Sequence, residues 1–134
     1  MLRRILLYVW ASPATGLGLL LTAFALLQGG SAQIVSGVVE VHGGIVTRLL
    51  KRGLPWAGPA QALVLGHVVL GCDRICLEKS RRHERVHVRQ YERWGPFFTP
   101  IYLLTCLIIR LRGGDPYADN PFEKEAFEKS NNQV

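Results

Sequence analysis

The chain has 134 residues, 49% of them hydrophobic, with a mean hydropathy of +0.16. This length allows one domain with a modest core, and the hydrophobic content is high for a small soluble protein. Sixteen Lys and Arg residues against ten Asp and Glu residues give a net charge of +6, which favours anionic partners such as lipid headgroups or nucleic acid. The three cysteines are too few for a disulfide framework, and Cys72 and Cys76 are predicted to be small buried apolar residues.

The N-terminal segment is apolar. Residues 5–27 carry no charge, and a run of this length can cross a bilayer, which needs roughly 20 apolar residues. We predict that residues 1–30 form a membrane-associated segment that is retained in the mature protein. Pro13 leaves open a re-entrant hairpin or a helix in the membrane interface, and the small residues near Ala32 leave open a cleavable signal peptide.

Short strands and a loop are predicted after the N-terminal segment. Residues 32–44, AQIVSGVVEVHGG, predict two short strands separated by Gly37. The next stretch is ambiguous, because Pro55 and Pro59 force a loop. Residues 60–71 form an apolar run that predicts one further strand.

A long helix is predicted after these strands. Residues 72–94 contain no Gly or Pro and many good helix formers. Asp73 lies near the start, where a carboxylate suits the helix dipole, and Gly95-Pro96 ends the helix.

The C-terminal part contains a second apolar segment and a short helix. Residues 97–111 are apolar but interrupted by a proline. Asn120 and Pro121 have the character of an N-cap and a first helical residue, and the helix they begin is predicted to end near residue 129. Residues 130–134 are predicted to be a disordered tail.

The long helix contains the sequence HERVH, which is an H-E-x-x-H motif formed by His83, Glu84 and His87. Residues four apart share one helix face, so the two imidazoles can reach one zinc ion. Zinc lowers the pKa of a bound water to roughly 7, and the intervening carboxylate can take its proton as general base. The motif therefore indicates a metal site with the chemistry of hydrolysis.

The periodicity of the helix supports an inward position for the motif. Apolar and aromatic residues recur at helical spacing and predict an inward stripe next to His83 and including His87. A buried imidazole without a partner is unfavourable, which also favours a metal. Arg81, Arg85 and Arg89 fall on a separate row, predicted to be the outer, wet face, which can also meet lipid phosphates.

A zinc site needs a third protein ligand. The variant H-E-x-x-H-x-x-G-x-x-H is excluded, because Gln90 and Arg93 stand at its Gly and His positions. A glutamate from a later helix is the other common solution, and the tail supplies Glu123 and Glu125. These two residues point about 200° apart on a helix, so only one of them can face the metal.

On these residues the chain resembles the gluzincin branch of zinc metallopeptidases, especially small membrane-associated members, which pair H-E-x-x-H with a downstream E-x-x-A. Here that stretch runs from Glu123 to Ala126, and the resemblance spans roughly residues 60–127. It implies that His83, His87 and Glu123 are the zinc ligands and that Glu84 is the general base. It also implies that the strand before the metal helix edges the cleft and pairs with a peptide substrate.

The resemblance further implies a minimal zincin-like α+β fold over residues 31–129. A small antiparallel sheet would pack on the H-E-x-x-H helix, together with a second apolar helix that is buried or interfacial. The chain is also similar to a bacterial family of short membrane-associated proteins that share the pattern HERVHVRQYERWGP, DPY and DNPFE.

The chain departs from the gluzincin pattern at Phe127, where many relatives have an aspartate that supports a ligating histidine. Asp119 or Asn120 is therefore expected in that role, since ligating imidazoles usually donate their second N–H to a carboxylate or carbonyl. Candidates for stabilising an oxyanion are Tyr91, Tyr117 and His67.

A shared zinc ion constrains the membrane topology. If His83, His87 and Glu123 bind one ion, residues 97–111 cannot cross a membrane, because a crossing would put the tail on the opposite side. The 15 residues rise only about 22 Å as a helix, short of a hydrocarbon core of about 30 Å. Ten of the sixteen Lys and Arg residues lie between positions 48 and 93, which predicts that the metal site is cytoplasmic.

The sequence thus predicts a membrane-associated zinc metallopeptidase that hydrolyses a peptide or a membrane protein through a zinc-activated water, with a partner subunit completing a small cleft. One alternative is a non-catalytic, metal-stabilised membrane scaffold or assembly factor. Another is a basic membrane protein that binds lipid or nucleic acid, with nucleic acid the less favoured ligand.

Overall fold

The computed structural model describes residues 1–131, which form five α-helices and four strands. In chain order these are α1 (Leu2–Leu27), β1 (Ser31–Val35), β2 (Val38–His42), α2 (Gly44–Arg52), β3 (Ala62–Leu65), β4 (Val68–Gly71), α3 (Arg74–Trp94), α4 (Phe98–Leu111) and α5 (Pro121–Asn131). A 3-10 turn, Gly95–Phe97, joins α3 to α4. The predicted α+β class is confirmed. Helix α5 extends into the predicted disordered tail, and the rest of that tail, residues 132–134, lies outside the described residues.

The sheet is mixed, so the prediction of an antiparallel sheet is wrong for its centre. Its strand order is β1-β2-β4-β3, with antiparallel pairs at both ends and a parallel pair between β2 and β4. The parallel pair arises because the chain leaves β2 through α2 and returns through the β3–β4 hairpin. That hairpin also corrects the prediction of one strand over residues 60–71, because Gly66 and His67 form a two-residue turn, with Gly66 at φ +62. Strand β4 is buried on both faces, which explains why its sequence has no alternating pattern.

Helices cover both faces of the sheet. On one face, Val41 and Val68 pack with Ala25 of α1 and Leu50 of α2. On the other face, strand and α3 residues share a second cluster, which includes Val38, Val64, Val69, Leu77 and Val88. The sheet therefore fixes the position of α3, the helix that carries the H-E-x-x-H motif.

Helix α1 is continuous through Pro13, so the alternative of a re-entrant hairpin is wrong. Its buried residues are small: Ala11, Gly18, Thr22 and Ala25. A Cβ atom added at Gly18 would lie 2.7 Å from the Cβ of Val68, so only glycine allows this close approach to β4. The opposite side of α1 exposes large apolar side chains, among them Leu17, Leu20 and Phe24.

Two helical stretches, Leu2–Leu27 and Arg74–Leu111, are long and apolar enough to cross a membrane by length and composition. The second stretch runs through α3, the 3-10 turn and α4. These stretches agree with membrane association, without fixing the side of the membrane.

Helix α3 is held at its start by Asp73, whose side chain accepts a 2.7 Å hydrogen bond from the Cys76 amide. Arg81 and Arg85 were predicted on the outer face with Arg89, but only Arg89 is exposed. The other two donate to Glu40 of β2, whose side chain is 1% exposed, at distances of 2.8–3.3 Å. The prediction failed because the partner carboxylate is distant in sequence.

The cysteines also differ from the prediction. Cys72, just before α3, and Cys76, in the first turn of α3, are joined by a disulfide, with their Cα atoms 6.0 Å apart. Cys106 of α4 is a buried free thiol.

Candidate metal centre

Three side chains from two helices meet at one point, as the sequence predicts. The Nε2 atoms of His83 and His87 lie 3.3 Å apart, as expected for residues one turn apart on α3. Helix α5 brings Glu123 against them, with its Oε2 atom 2.8 Å from Nε2 of His83 and 3.2 Å from Nε2 of His87. All three side chains are largely buried. The three atoms form a cluster with the geometry of a candidate cation site.

Glu125, the alternative third ligand, lies elsewhere. Its Oε1 atom is 3.2 Å from Nζ of Lys129 and 3.6 Å from a guanidinium nitrogen of Arg93. The local reason is the start of α5: Asn120 caps it through Oδ1, which accepts from the Phe122 amide at 3.0 Å. This register turns Glu123 toward α3 and leaves Glu125 on the side of the helix.

Gln90 orients His87 and was missed as a site residue. Its Oε1 atom accepts a 2.7 Å hydrogen bond from Nδ1 of His87, while its Nε2 atom donates to the carbonyl of Phe122 in α5 at 3.0 Å. The second bond fixes the orientation of the amide, so its oxygen faces the imidazole. This arrangement leaves Nε2 of His87 directed at the candidate site.

Tyr102 of α4 holds the carboxylate of Glu123 and was also missed. Its hydroxyl donates a 2.7 Å hydrogen bond to Oε1, which leaves Oε2 facing the imidazoles. Asp119 and Asn120, the predicted supporting residues, do not contact the imidazoles. Asp119 accepts from the Asp115 amide, and Asn120 caps α5.

The charges of the cluster are strongly coupled. Burial alone would lower the pKa of His87, but the hydrogen bond and charge of Glu123 outweigh it and raise this pKa to about 9. Burial alone would raise the pKa of Glu123, but hydrogen bonds from His83 and His87 lower it to about 2. Without a cation the cluster therefore contains a carboxylate and a protonated imidazole, and a cation can take the place of that proton.

Glu84 lies beside the cluster on the same helix. It is 6% exposed and lines the same cleft as the two histidines. Burial raises the pKa of Glu84, with partial offset by the charges of His87 and His83. A carboxylate with a raised pKa next to a metal site is suited to accept and return a proton.

The cluster opens into a cleft of about 760 Å³. Its walls are α3, α4, α5, β3 and the loop that precedes β3. Strand β3 is an edge strand of the sheet. The carbonyl of Gln61 accepts a hydrogen bond from the Cys72 amide, so these two residues form a hydrogen-bonded pair. In an antiparallel ladder such pairs alternate with non-hydrogen-bonded pairs. The backbone groups of Ala62 and Val64 therefore point away from β4, to the free edge of β3.

The three candidates for an oxyanion donor have different positions. The hydroxyl of Tyr91 bonds to Thr99, and His67 lies in the β3–β4 turn, where its ring bonds to Glu92 at 2.9 Å. Tyr117 lines the cleft, with its ring centroid 6.4 Å from that of His83. Burial and the charges of Glu123 and Glu84 raise the pKa of Tyr117 to about 12, so it remains a protonated donor at neutral pH.

Comparison with protein-family models, with curated proteins and with solved structures gives no match for the chain. The function is therefore argued from the geometry of the site.

Proposed function

We propose that the protein is a membrane-associated zinc metallopeptidase of minimal, gluzincin-like type. The observation that carries this proposal is the convergence of His83, His87 and Glu123 in the lining of a cleft, next to the buried carboxylate of Glu84 and the free edge of β3. A metal, a proton acceptor and a backbone to hold an extended chain are the parts that hydrolysis of a peptide bond requires.

The three side chains fit zinc. Tetrahedral coordination with bonds of about 2.0–2.1 Å separates ligand atoms by about 3.3 Å. The corresponding separations in the cluster are 2.8, 3.2 and 3.3 Å, so movements of about half an ångström would suffice. Two imidazoles and one carboxylate form a donor set of catalytic zinc sites, with one position left for water. Bound zinc would supply the Lewis acid that lowers the pKa of this water to about 7.

The residues around the ligands have separate roles in this proposal. Glu84 takes the proton from the attacking water and passes it to the leaving amine. Gln90 and Tyr102 position His87 and Glu123 through the hydrogen bonds described above. Tyr117 donates a hydrogen bond to the carbonyl oxygen as negative charge develops on it.

The substrate is an extended peptide that adds a strand to the sheet at β3. The outward backbone groups of Ala62 and Val64 supply hydrogen bonds for any sequence, and the cleft lies beside them. The strand directly before the metal helix, β4, lies inside the sheet, so the substrate-binding role passes to β3.

We place the protein on a membrane through α1. Large apolar side chains on this helix are about half exposed, including Leu17, Leu20 and Leu26, and an exposed apolar surface of this kind indicates a membrane or protein contact. The excess of basic residues in the rest of the chain favours the cytoplasmic leaflet. Flotation with vesicles tests this, and loss of binding when Leu17, Leu20 and Leu26 are replaced by Ser is the expected result.

One experiment tests the peptidase directly. Purified protein is expected to contain one zinc ion per chain and to cleave members of a synthetic peptide mixture, as followed by mass spectrometry. Glu84→Gln should keep the zinc and lose cleavage, whereas Glu78→Gln, on the exposed part of α3, should keep both. Zinc content of zero in wild-type protein, or equal cleavage by the Glu84→Gln variant, would refute the proposal.

A second candidate is a metal-stabilised scaffold without activity. One observation favours it: Glu123 bonds to side chains of both α3 and α4, so a metal here would fasten three helices together. In that case His83→Ala would lower the melting temperature of the zinc-loaded protein, and Glu84→Gln would change no function.

A further inference from the structure

One end of the cleft carries unpaired positive charge. Lys79 and Arg82 line the cleft, and neither contacts a carboxylate among residues 1–131. The remaining arginines of α3, apart from Arg89, are all paired: Arg74 with Glu78, Arg81 and Arg85 with Glu40, and Arg93 with Glu125. Arg89 is exposed and lies outside the cleft lining. The free cations facing the cleft are therefore Lys79 and Arg82.

The sheet fixes which end of a bound peptide meets these charges. The Cys72 amide, just before α3, bonds to the carbonyl of Gln61 at the start of β3. At the other end, His67 follows β3 and bonds to Glu92 near the end of α3. Strand β3 and helix α3 thus run side by side in the same direction. A peptide paired antiparallel to β3 runs the opposite way, so its C-terminal part approaches the start of α3.

Helix geometry gives the distance between these two charges and the histidine pair. Lys79 precedes His83 by one turn on the same face. At 1.5 Å per residue, the Cα atoms of Lys79 and Arg82 lie about 9 Å and about 4.5 Å along the axis from the centre of the histidine pair. An extended peptide advances about 3.3 Å per residue. The two charges therefore lie about one to three residues from the bond positioned at the metal cluster.

We propose that Lys79 and Arg82 form a carboxylate subsite. It binds an acidic side chain, or the free C-terminal carboxylate of a short peptide, at one of the first three residues after the cleaved bond. This inference rests on the proposed peptidase function and names its substrate class. Both cations are exposed, so their attraction is screened, and a preference of about tenfold for Glu over Gln is expected.

The test uses a peptide that the zinc-loaded protein cleaves, remade with a single Glu or a single Gln at each position. We expect a kcat/KM about tenfold higher for Glu than for Gln at one of the first three positions after the bond, and we expect this preference to be lost when the salt concentration is raised to 1 M NaCl. The double variant Lys79→Met with Arg82→Met should lose the preference, and the matched control Arg89→Met should keep it.

Binding of the same peptides, labelled for fluorescence anisotropy, to zinc-loaded Glu84→Gln protein separates this inference from the peptidase proposal. A Glu preference in binding with no cleavage of any peptide by wild-type protein would refute the peptidase and leave the subsite standing. Cleavage with equal rates for Glu and Gln peptides overturns the subsite alone. A Glu preference confined to positions before the bond would also overturn the subsite alone. A double variant that loses only its affinity for phosphatidylglycerol vesicles would assign the two charges to lipid, and would likewise overturn it.

Discussion

Replacing the buried carboxylate of Glu40 tests directly how α3 is held on the sheet. This carboxylate is 1% exposed and accepts from Arg81 twice, at 2.8 and 2.9 Å, and from Arg85 at 3.3 Å. Removing one partner of a buried ion pair costs about 3–5 kcal/mol. Because the side chains of Arg81 and Arg85 are 33% and 19% exposed, water can partly replace the lost carboxylate. We therefore expect Glu40→Gln to lower the free energy of unfolding by about 2–3 kcal/mol.

The assay is urea unfolding in a mild non-ionic detergent, followed by tryptophan fluorescence at pH 7. The matched control is Glu78→Gln, which removes an ion pair whose Arg74 and Glu78 side chains are 76% and 50% exposed, and which should change stability by less than about 0.5 kcal/mol. Equal effects of the two substitutions would refute the argument that burial makes the Glu40 network strong.

The same network predicts a pH dependence with a definite sign. Burial alone would raise the pKa of Glu40, but the hydrogen bond and charge of Arg81 and the charge of Arg85 lower it below its ordinary value of 4.5. The unfolded chain then binds this proton more tightly than the folded protein. The contribution of Glu40 is complete above about pH 4.5 and is lost as the pH falls below it, so wild type and Glu40→Gln should converge in stability in acid.

Three further predictions concern the site and α1. Zinc affinity, measured by competition with a chromophoric chelator, should rise about tenfold per pH unit between pH 7 and 9, because zinc displaces a proton from His87, whose pKa is about 9; a flat profile would contradict this. Gln90→Leu should weaken zinc binding about 10–100-fold in the same assay, and unchanged affinity would remove its positioning role. Gly18→Ala should destabilise the protein by about 1–3 kcal/mol in urea unfolding, because its Cβ would overlap Val68, whereas Gly16→Ala, with no atom within 4 Å, should not destabilise it.

The sequence predicts those parts of the site that depend on local spacing. His83 and His87 share a face because they are four residues apart on a helix with no Gly or Pro. The position of Glu123 near the start of a helix is predicted because Asn120 and Pro121 define where α5 begins. The supporting residues were harder to predict. Gln90 lies three residues after His87, which is a usable signal, but Tyr102 reaches Glu123 only through the packing of α4.

The errors in the predicted fold have a common cause, which is pairing between residues that are distant in sequence. An apolar run such as residues 60–71 does not reveal a two-residue turn when β4 is fully buried and β3 is partly or fully buried at every position, because alternation disappears. Arg81 and Arg85 have the spacing of an outer face, and nothing local identifies Glu40 as their partner. The parallel pairing of β2 with β4 likewise depends on where α2 packs.

The contacts of α1 limit how the protein can sit on a membrane. Ala11 and Ala25 both pack into the core of the domain, and they are separated by 14 residues, or about 21 Å of helix. If α1 crossed the bilayer, the sheet beside it would have to enter the hydrocarbon, together with the polar strand residues Ser31 and Gln33, which are exposed. Polar groups are not stable there without partners. On the proposal that the protein associates with a membrane, α1 would therefore lie along the membrane interface, with its large apolar side chains toward lipid and its small residues toward the sheet.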